Sequence, residues 1–407
     1  MSIAGIATVA ARAPAGALVD EIIWKRALVV AAAGIVAAGA IVLSLFPLFW
    51  PAAAAQALIG AADAAFPPAV AAISLGLVGR HAFTGRVGRN EAFNHAGNVF
   101  TAIIAGLAGY LIAPVAVLWL VALLAALSAY AALSINANEI DYFLARGLDN
   151  NNGGHLHKKR PSGLRVIFEC KPLLLFTMAI TLFHFANAAM LPLVGERLSQ
   201  DHKDSGSLFI AACVIAAQIV MVPMAMLVGA KSDDWGRKPL FLVGFAALPI
   251  RGLLYTLWDN PYYLVSIQLL DGVGAGVFGA LFFLVVADLT KGTGHYNLAL
   301  GASGAAWGTG AALSNSVAGF IVDKAGFNAA FLFLSGVAAL AFLLFWFAVP
   351  ETVKQSDSGE DETGAPDAPP PGAPHNLIEA RQTHSSWCRM AEFRSAKRIS
   401  HEAGASM

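Results

Sequence analysis

Charge is what this sequence has least of. Only 13% of its 407 residues are Asp, Glu, Lys or Arg, against 57% hydrophobic, whereas soluble globular chains carry about 25% charged residues. So little polar surface cannot coat a water-soluble body of this size. The short alternating strands of an outer-membrane barrel are also absent from the sequence. Cysteine is scarce: Cys170, Cys213 and Cys388 are scattered and odd in number, which suggests neither a disulfide framework nor a zinc site. Cys213 reads as a small apolar residue inside a helix. No His-Glu-x-x-His is present, which argues against a metal-dependent intramembrane hydrolase. No phosphate loop ending in Gly-Lys-Ser/Thr is present, which argues against direct ATP drive. Lys+Arg and Asp+Glu balance at 26 each, leaving no electrostatic reason to expect nucleic acid. No metal, no cofactor and no enzymatic activity are expected.

What the chain has instead is apolar runs of about 20 residues, the length of a membrane-spanning helix. The clear ones cover 27–46, 52–77, 92–113, 115–135, 172–195, 206–230, 239–258, 261–287, 298–322 and 327–349. A weaker one, 2–19, is interrupted by Arg12 and reads as a span, not a signal peptide. The expected fold is an all-α membrane protein with about 11 spans, since backbone groups in lipid must be satisfied internally. Lys and Arg concentrate in alternate loops: Lys25 and Arg26; Arg80, Arg86 and Arg89; Arg146 through Lys171; Lys231, Arg237, Lys238 and Lys291. The opposite loops hold Arg197, Lys203 and Lys324. By the positive-inside rule the first set and the C-terminus face the cytoplasm. This divides the chain into a first bundle (1–135), an inter-bundle loop (136–171), a second bundle (172–350) and an acidic, proline-rich tail (351–407) expected to be disordered.

Two short turns carry the same pattern. "GAKSDDWGRK" (229–238) and "GALVDEIIWKR" (16–26) both run Gly-x-x-x-Asp into basic residues, at corresponding places in the two halves. A glycine lets helix ends approach closely. An acid there can face the positive N-terminus of a neighbouring helix. Gly229, Asp233, Gly236, Arg237 and Lys238, and in the weaker first copy Gly16, Asp20 and Lys25, resemble the loop signature of the major facilitator superfamily. Asp234 stands where that family has a basic residue, and Ile23 and Trp24 replace a glycine and an arginine of the first copy. The resemblance implies two six-helix bundles that rock about a central site, with these turns as a cytoplasmic gate. It makes residues 2–19 the second family helix, so the first is expected to lie outside this chain.

Ionisable and amide groups at bilayer depth are functional candidates by their cost. Asp63 falls mid-span on what the resemblance makes the fourth helix, where a carboxylate could couple a proton or touch substrate. His184 and Asn187 share a face of the seventh. Gln218, Gln268, Asp271 and Asn315 complete the candidate substrate or coupling set. Arg251 and Asp271 at similar depth are expected to form a structural ion pair. Asn94, His95 and Asn98, beside "GRVGRNE" (85–91), read as groups at the cytoplasmic mouth.

The expected function is secondary active transport of a small solute by alternating access, with a proton as the candidate coupling ion. The alternative is a transport-incompetent sensor, scaffold or remnant. The expected partners are a small-molecule solute and the lipid of a bacterial inner membrane, for a protein working as a monomer. The mostly Ala, Gly, Phe and Leu composition of the spans favours an amphiphilic or neutral solute.

Overall fold

The structure is a computed structural model that describes residues 3–148, 168, 170–201 and 206–353. The expectations for the basic part of the inter-bundle loop and for the tail beyond Val353 lie outside the described residues. No strand occurs among the described residues. The chain runs α1 (Ile3–Glu21), α2 (Lys25–Leu45), α3 (Phe49–Asp63), α4 (Phe66–Leu111) and α5 (Ala116–Leu133) in its first half. After two short 3-10 turns come α6 (Lys171–Ala188), α7 (Met190–Asp201), α8 (Gly206–Lys231), α9 (Arg237–Leu254), α10 (Pro261–Leu289) and α11 (Tyr296–Ala348).

Two helices are too long for one crossing. α4 has 46 residues and α11 has 53, or about 70 and 80 Å at about 1.5 Å per residue, against a hydrocarbon core of about 30 Å. Each bends at one glycine: Gly79 at φ 67°, ψ 174°, and Gly326 at φ 84°, ψ 172°. Each therefore takes part in two passes. The part of α4 before Gly79 completes the pass begun by α3, broken at Ala64–Ala65 just after Asp63. Eight helical stretches are long and apolar enough to span. Dividing two of them at the glycines and adding α9 gives eleven passes among the described residues.

The two halves are packed with different materials. In the second, Phe176, Phe241, Phe245, Phe278, Phe282 and Phe345 form one continuous aromatic cluster with ring centroids 4.8–6.4 Å apart. The first has a smaller buried cluster of Val19, Val29, Ala69, Ala72 and Ile73. Its helices approach through small residues, which suits a lipid solvent in which close packing replaces the hydrophobic drive. Large apolar side chains such as Leu123, Leu127 and Tyr130 on α5 point outward, where acyl chains would cover them. Two helix pairs make the largest contacts between the halves, α1 against α11 and α4 beyond Gly79 against α8, and α4 also touches α10 and α11. Cys213 is buried and free. Cys170 is disulfide-bonded, contrary to the expectation of no disulfide.

Candidate functional site

The basic end of the molecule is closed by charged and amide groups that cross from one half to the other. Asp20, buried at the end of α1, accepts the backbone N–H of Asn297 (3.3 Å) and of Leu298 (2.8 Å) and the Asn297 side-chain amide (2.9 Å). These groups open α11, so the carboxylate meets the positive end of that helix. Lys25 is fully buried beside it and donates to the carbonyls of Val19, in the last turn of α1, and Ile22, just past its end. Gly16 lies on the Asn297 backbone with no room for a side chain. Asn297 also donates to the Ala145 carbonyl at 2.9 Å. In the turn leading into α11, burial and the nearby Arg146 push the His295 imidazole below its usual pKa, which keeps one more charge out of an already basic end.

The second copy of the motif is wired similarly. Asp233 accepts from the Thr84 hydroxyl at 2.9 Å and from Arg237 at 3.2 Å. Arg237 also pairs with Asp288 on α10. Gly229 of α8 rests directly on Gly88 of α4, backbone against backbone, where even one methyl would force the helices apart. Gly236 sits at φ 87°, ψ 153°, a conformation open to glycine alone. Lys231 and Asp234 form an exposed pair at 3.3 Å. The Glu351 carboxylate, from just beyond α11, accepts the backbone N–H of Arg237 (3.0 Å) and Lys238 (2.9 Å) and so caps α9. Arg80 ties the connection to the latch through the Gly147 carbonyl at 2.6 Å.

A second group of polar residues meets near mid-depth. Arg12 on α1, roughly 14 Å in from Glu21 at about 1.5 Å per residue, donates to the Gly304 carbonyl at 2.6 Å. Its guanidinium lies 4.0 Å over the Trp307 ring. Trp307 stacks in turn on His184, centroids 4.3 Å apart, and His184 lies 4.4 Å from Phe278. Asp63 faces this group from α3, near enough for its charge and that of Arg12 to interact, yet beyond ion-pair distance. Asp63, exposed, and His184 thus both lie within reach of the Arg12 charge.

The other candidates lie elsewhere. Asn187 turns away from His184 and accepts from Arg251 at 2.6 Å. Arg251, buried, forms an ion pair with Asp271. Gln268 is fully buried one helical turn from Asp271, so this cluster belongs to the interior of the second half. Asn315 is exposed and bonds to the Ala311 carbonyl of its own helix at 3.4 Å. Gln218 meets His95 at 2.9 Å across the α8–α4 contact. The expectation that His95 sits at the cytoplasmic mouth is corrected. "GRVGRNE" is not a loop but the opening turns of the pass that starts after Gly79, which places His95 roughly 22 Å inward of Arg80.

Arg12 and Trp307 were not among the sequence candidates. The signal for Arg12 was present, since a cation interrupting an apolar stretch is a functional hypothesis by its cost alone. Trp307 gave none, because an indole in an apolar span is ordinary. Thr84, Asn297 and Glu351 become visible only when the helices are brought together.

The hydrogen bonds described above between the two halves lie at the basic end or, for Arg12–Gly304 and His95–Gln218, near mid-depth.

The profile of the Major Facilitator Superfamily matches residues 1–248 and 173–398. MFS-type transporters of Mycobacterium tuberculosis, from strains CDC 1551 and H37Rv, are each 52% identical over 353 residues, covering 87% of this chain and 84% of theirs. Among solved structures, the proton:xylose symporter XylE superposes with TM-score 0.67 at 14% identity, over 86% of this chain and 85% of that one. The human organic anion transporter MFSD10 gives 0.65 at 18%, over 84% and 82%. Profile, relatives and fold agree: the chain belongs to the major facilitator superfamily of membrane transporters.

Proposed function

We propose that the protein is a secondary active transporter that moves a small solute by alternating access, with the Arg12–Asp63–Trp307–His184 cleft as its site. One observation carries this reading. The cleft lies at mid-depth between the halves, and apart from Arg12–Gly304 and His95–Gln218 beside that depth the bonds described between them gather at the basic end. Taking the basic end as cytoplasmic, in a bacterial inner membrane, this is an outward-facing arrangement. Inward opening requires the Asp20 and Asp233 latches to part and the far ends of the bundles to meet.

Asp63 is the proposed coupling group, because a carboxylate at bilayer depth within reach of a cation can exchange a proton for a bound solute. Proton coupling also agrees with the names of two fold neighbours, XylE and the fucose:proton symporter FucP, as proton symporters. The test is counterflow and proton-driven uptake of a labelled solute panel in proteoliposomes. Asp63→Asn should lose uptake driven by a pH gradient and retain counterflow. Uptake that still follows the gradient in Asp63→Asn would sink this role for Asp63.

A further inference from the structure

Resting on the transport reading, we propose that the cleft takes an organic anion with a flat apolar body. Its charged end lies on Arg12 and the Trp307 indole N–H, and its body along the Trp307–His184–Phe278 wall. The donors at this spot are not all used. A guanidinium has five N–H groups and cannot shed its charge. Arg12 spends one on the Gly304 carbonyl and offers its face to Trp307. No carboxylate among the described residues lies within ion-pair distance of it. The Trp307 indole nitrogen is buried beside it without an acceptor, and both side chains lean over Gly304.

Two donors, one of them a permanent cation, thus share a spot with no anion of the chain in contact. Burying a charge without a partner is costly, and a carboxylate or sulfonate bound in fork geometry would complete the shell. The aromatic wall continues from that spot through rings at 4.3 and 4.4 Å, which suits a planar apolar group. A cationic solute is opposed by Arg12. His184 Nδ1 is held by the Ile180 carbonyl at 3.0 Å, so along the wall the ring offers chiefly an apolar face. Two carboxylates stand near this depth: Asp63 on α3, and Glu91 on α4, which accepts the Asn94 amide at 3.3 Å and lies against Gly279 next to Phe278; their repulsion of an anion is removed when they carry protons.

The test uses the full chain in lipid nanodiscs and three labelled probes of one shape: naphthalene-2-sulfonate, 2-naphthol and 2-naphthyltrimethylammonium. The sulfonate should bind, and tenfold or more tighter than either of the others. Arg12→Gln should weaken it at least tenfold, Arg12→Lys far less, and Trp307→Phe several-fold. Each variant is first checked for an unchanged thermal midpoint. Equal binding of the three probes, no binding of any, or sulfonate binding unchanged in Arg12→Gln overturns the proposal. Counterflow of an uncharged solute without sulfonate binding would overturn it while leaving transport intact. Sulfonate binding with no counterflow of any solute would leave the anion site standing and remove the transport reading.

Discussion

Asp20 does more at this interface than a surface carboxylate could. It is buried, it is charged, and it accepts three N–H groups from the first turn of α11. Hydrogen bonds to charged groups are worth about 1.5–3 kcal/mol each, whereas a neutral interhelical bond in a membrane averages about 0.6 kcal/mol. The His95–Gln218 link is of the second kind and Arg12–Gly304 is a single charged bond at mid-depth, so the larger group of charged bonds between the halves sits at the basic end. Asp20→Ala should shift the population toward molecules with that end open by about 1.5–3 kcal/mol, read by spin-label distances across it. Unchanged distances would place the latch elsewhere. The Arg251–Asp271 pair makes a different prediction. Arg251→Leu leaves Asp271 as an uncompensated buried charge and should cost about 3–5 kcal/mol in thermal unfolding. Adding Asp271→Leu should recover most of the loss. At this scale the sequence was half legible. The unusual residues announced themselves, but their partners depend on helix rotation. Hence His184 and Asn187, only a helical turn apart, ended in two different clusters.

Helices were far easier to read. Run length alone placed the passes, because a bilayer fixes how many apolar residues one needs. The boundaries failed where charge was taken as the mark of a loop. Arg80, Arg86 and Arg89 all lie on α4, since long basic side chains can reach water from a helix end. That error moved His95 from mid-depth to the mouth. The glycine contact between α4 and α8 is the element most sensitive to size. Gly88→Leu must separate the two backbones, and overpacking of this kind costs about 1–3 kcal/mol. A cysteine placed near that contact should then be alkylated faster by an impermeant maleimide added at the basic end. Labelling as slow as in the parent would mean that the contact does not seal.

For the whole molecule, two halves joined at one end predict how it can be stopped. Thr84 and Asp233 face each other across that end at 2.9 Å. Replacing both by cysteine and oxidising should abolish counterflow, and a reductant should restore it. Counterflow that survives the cross-link would contradict a rocking cycle. The paired motif made the two-half plan legible from sequence, because the same turn chemistry recurs at corresponding places. The difference in packing was legible only in composition. Five phenylalanines, Phe241, Phe245, Phe278, Phe282 and Phe283, fall within this part of the second half, but the fusion of most of them into one cluster needs the fold.

Glu351 is the first residue past the last helix that has a task at the other side of its own half. Its two oxygens hold the backbone of Arg237 and Lys238, the residues that also carry the second latch, and Gly236 leaves the room for them. Where the chain is cut or tagged is therefore not neutral for the engineer. A fusion joined after Val353 leaves the clasp intact. One joined at Pro350 removes it and would yield a protein whose gate is already loosened before any solute is offered.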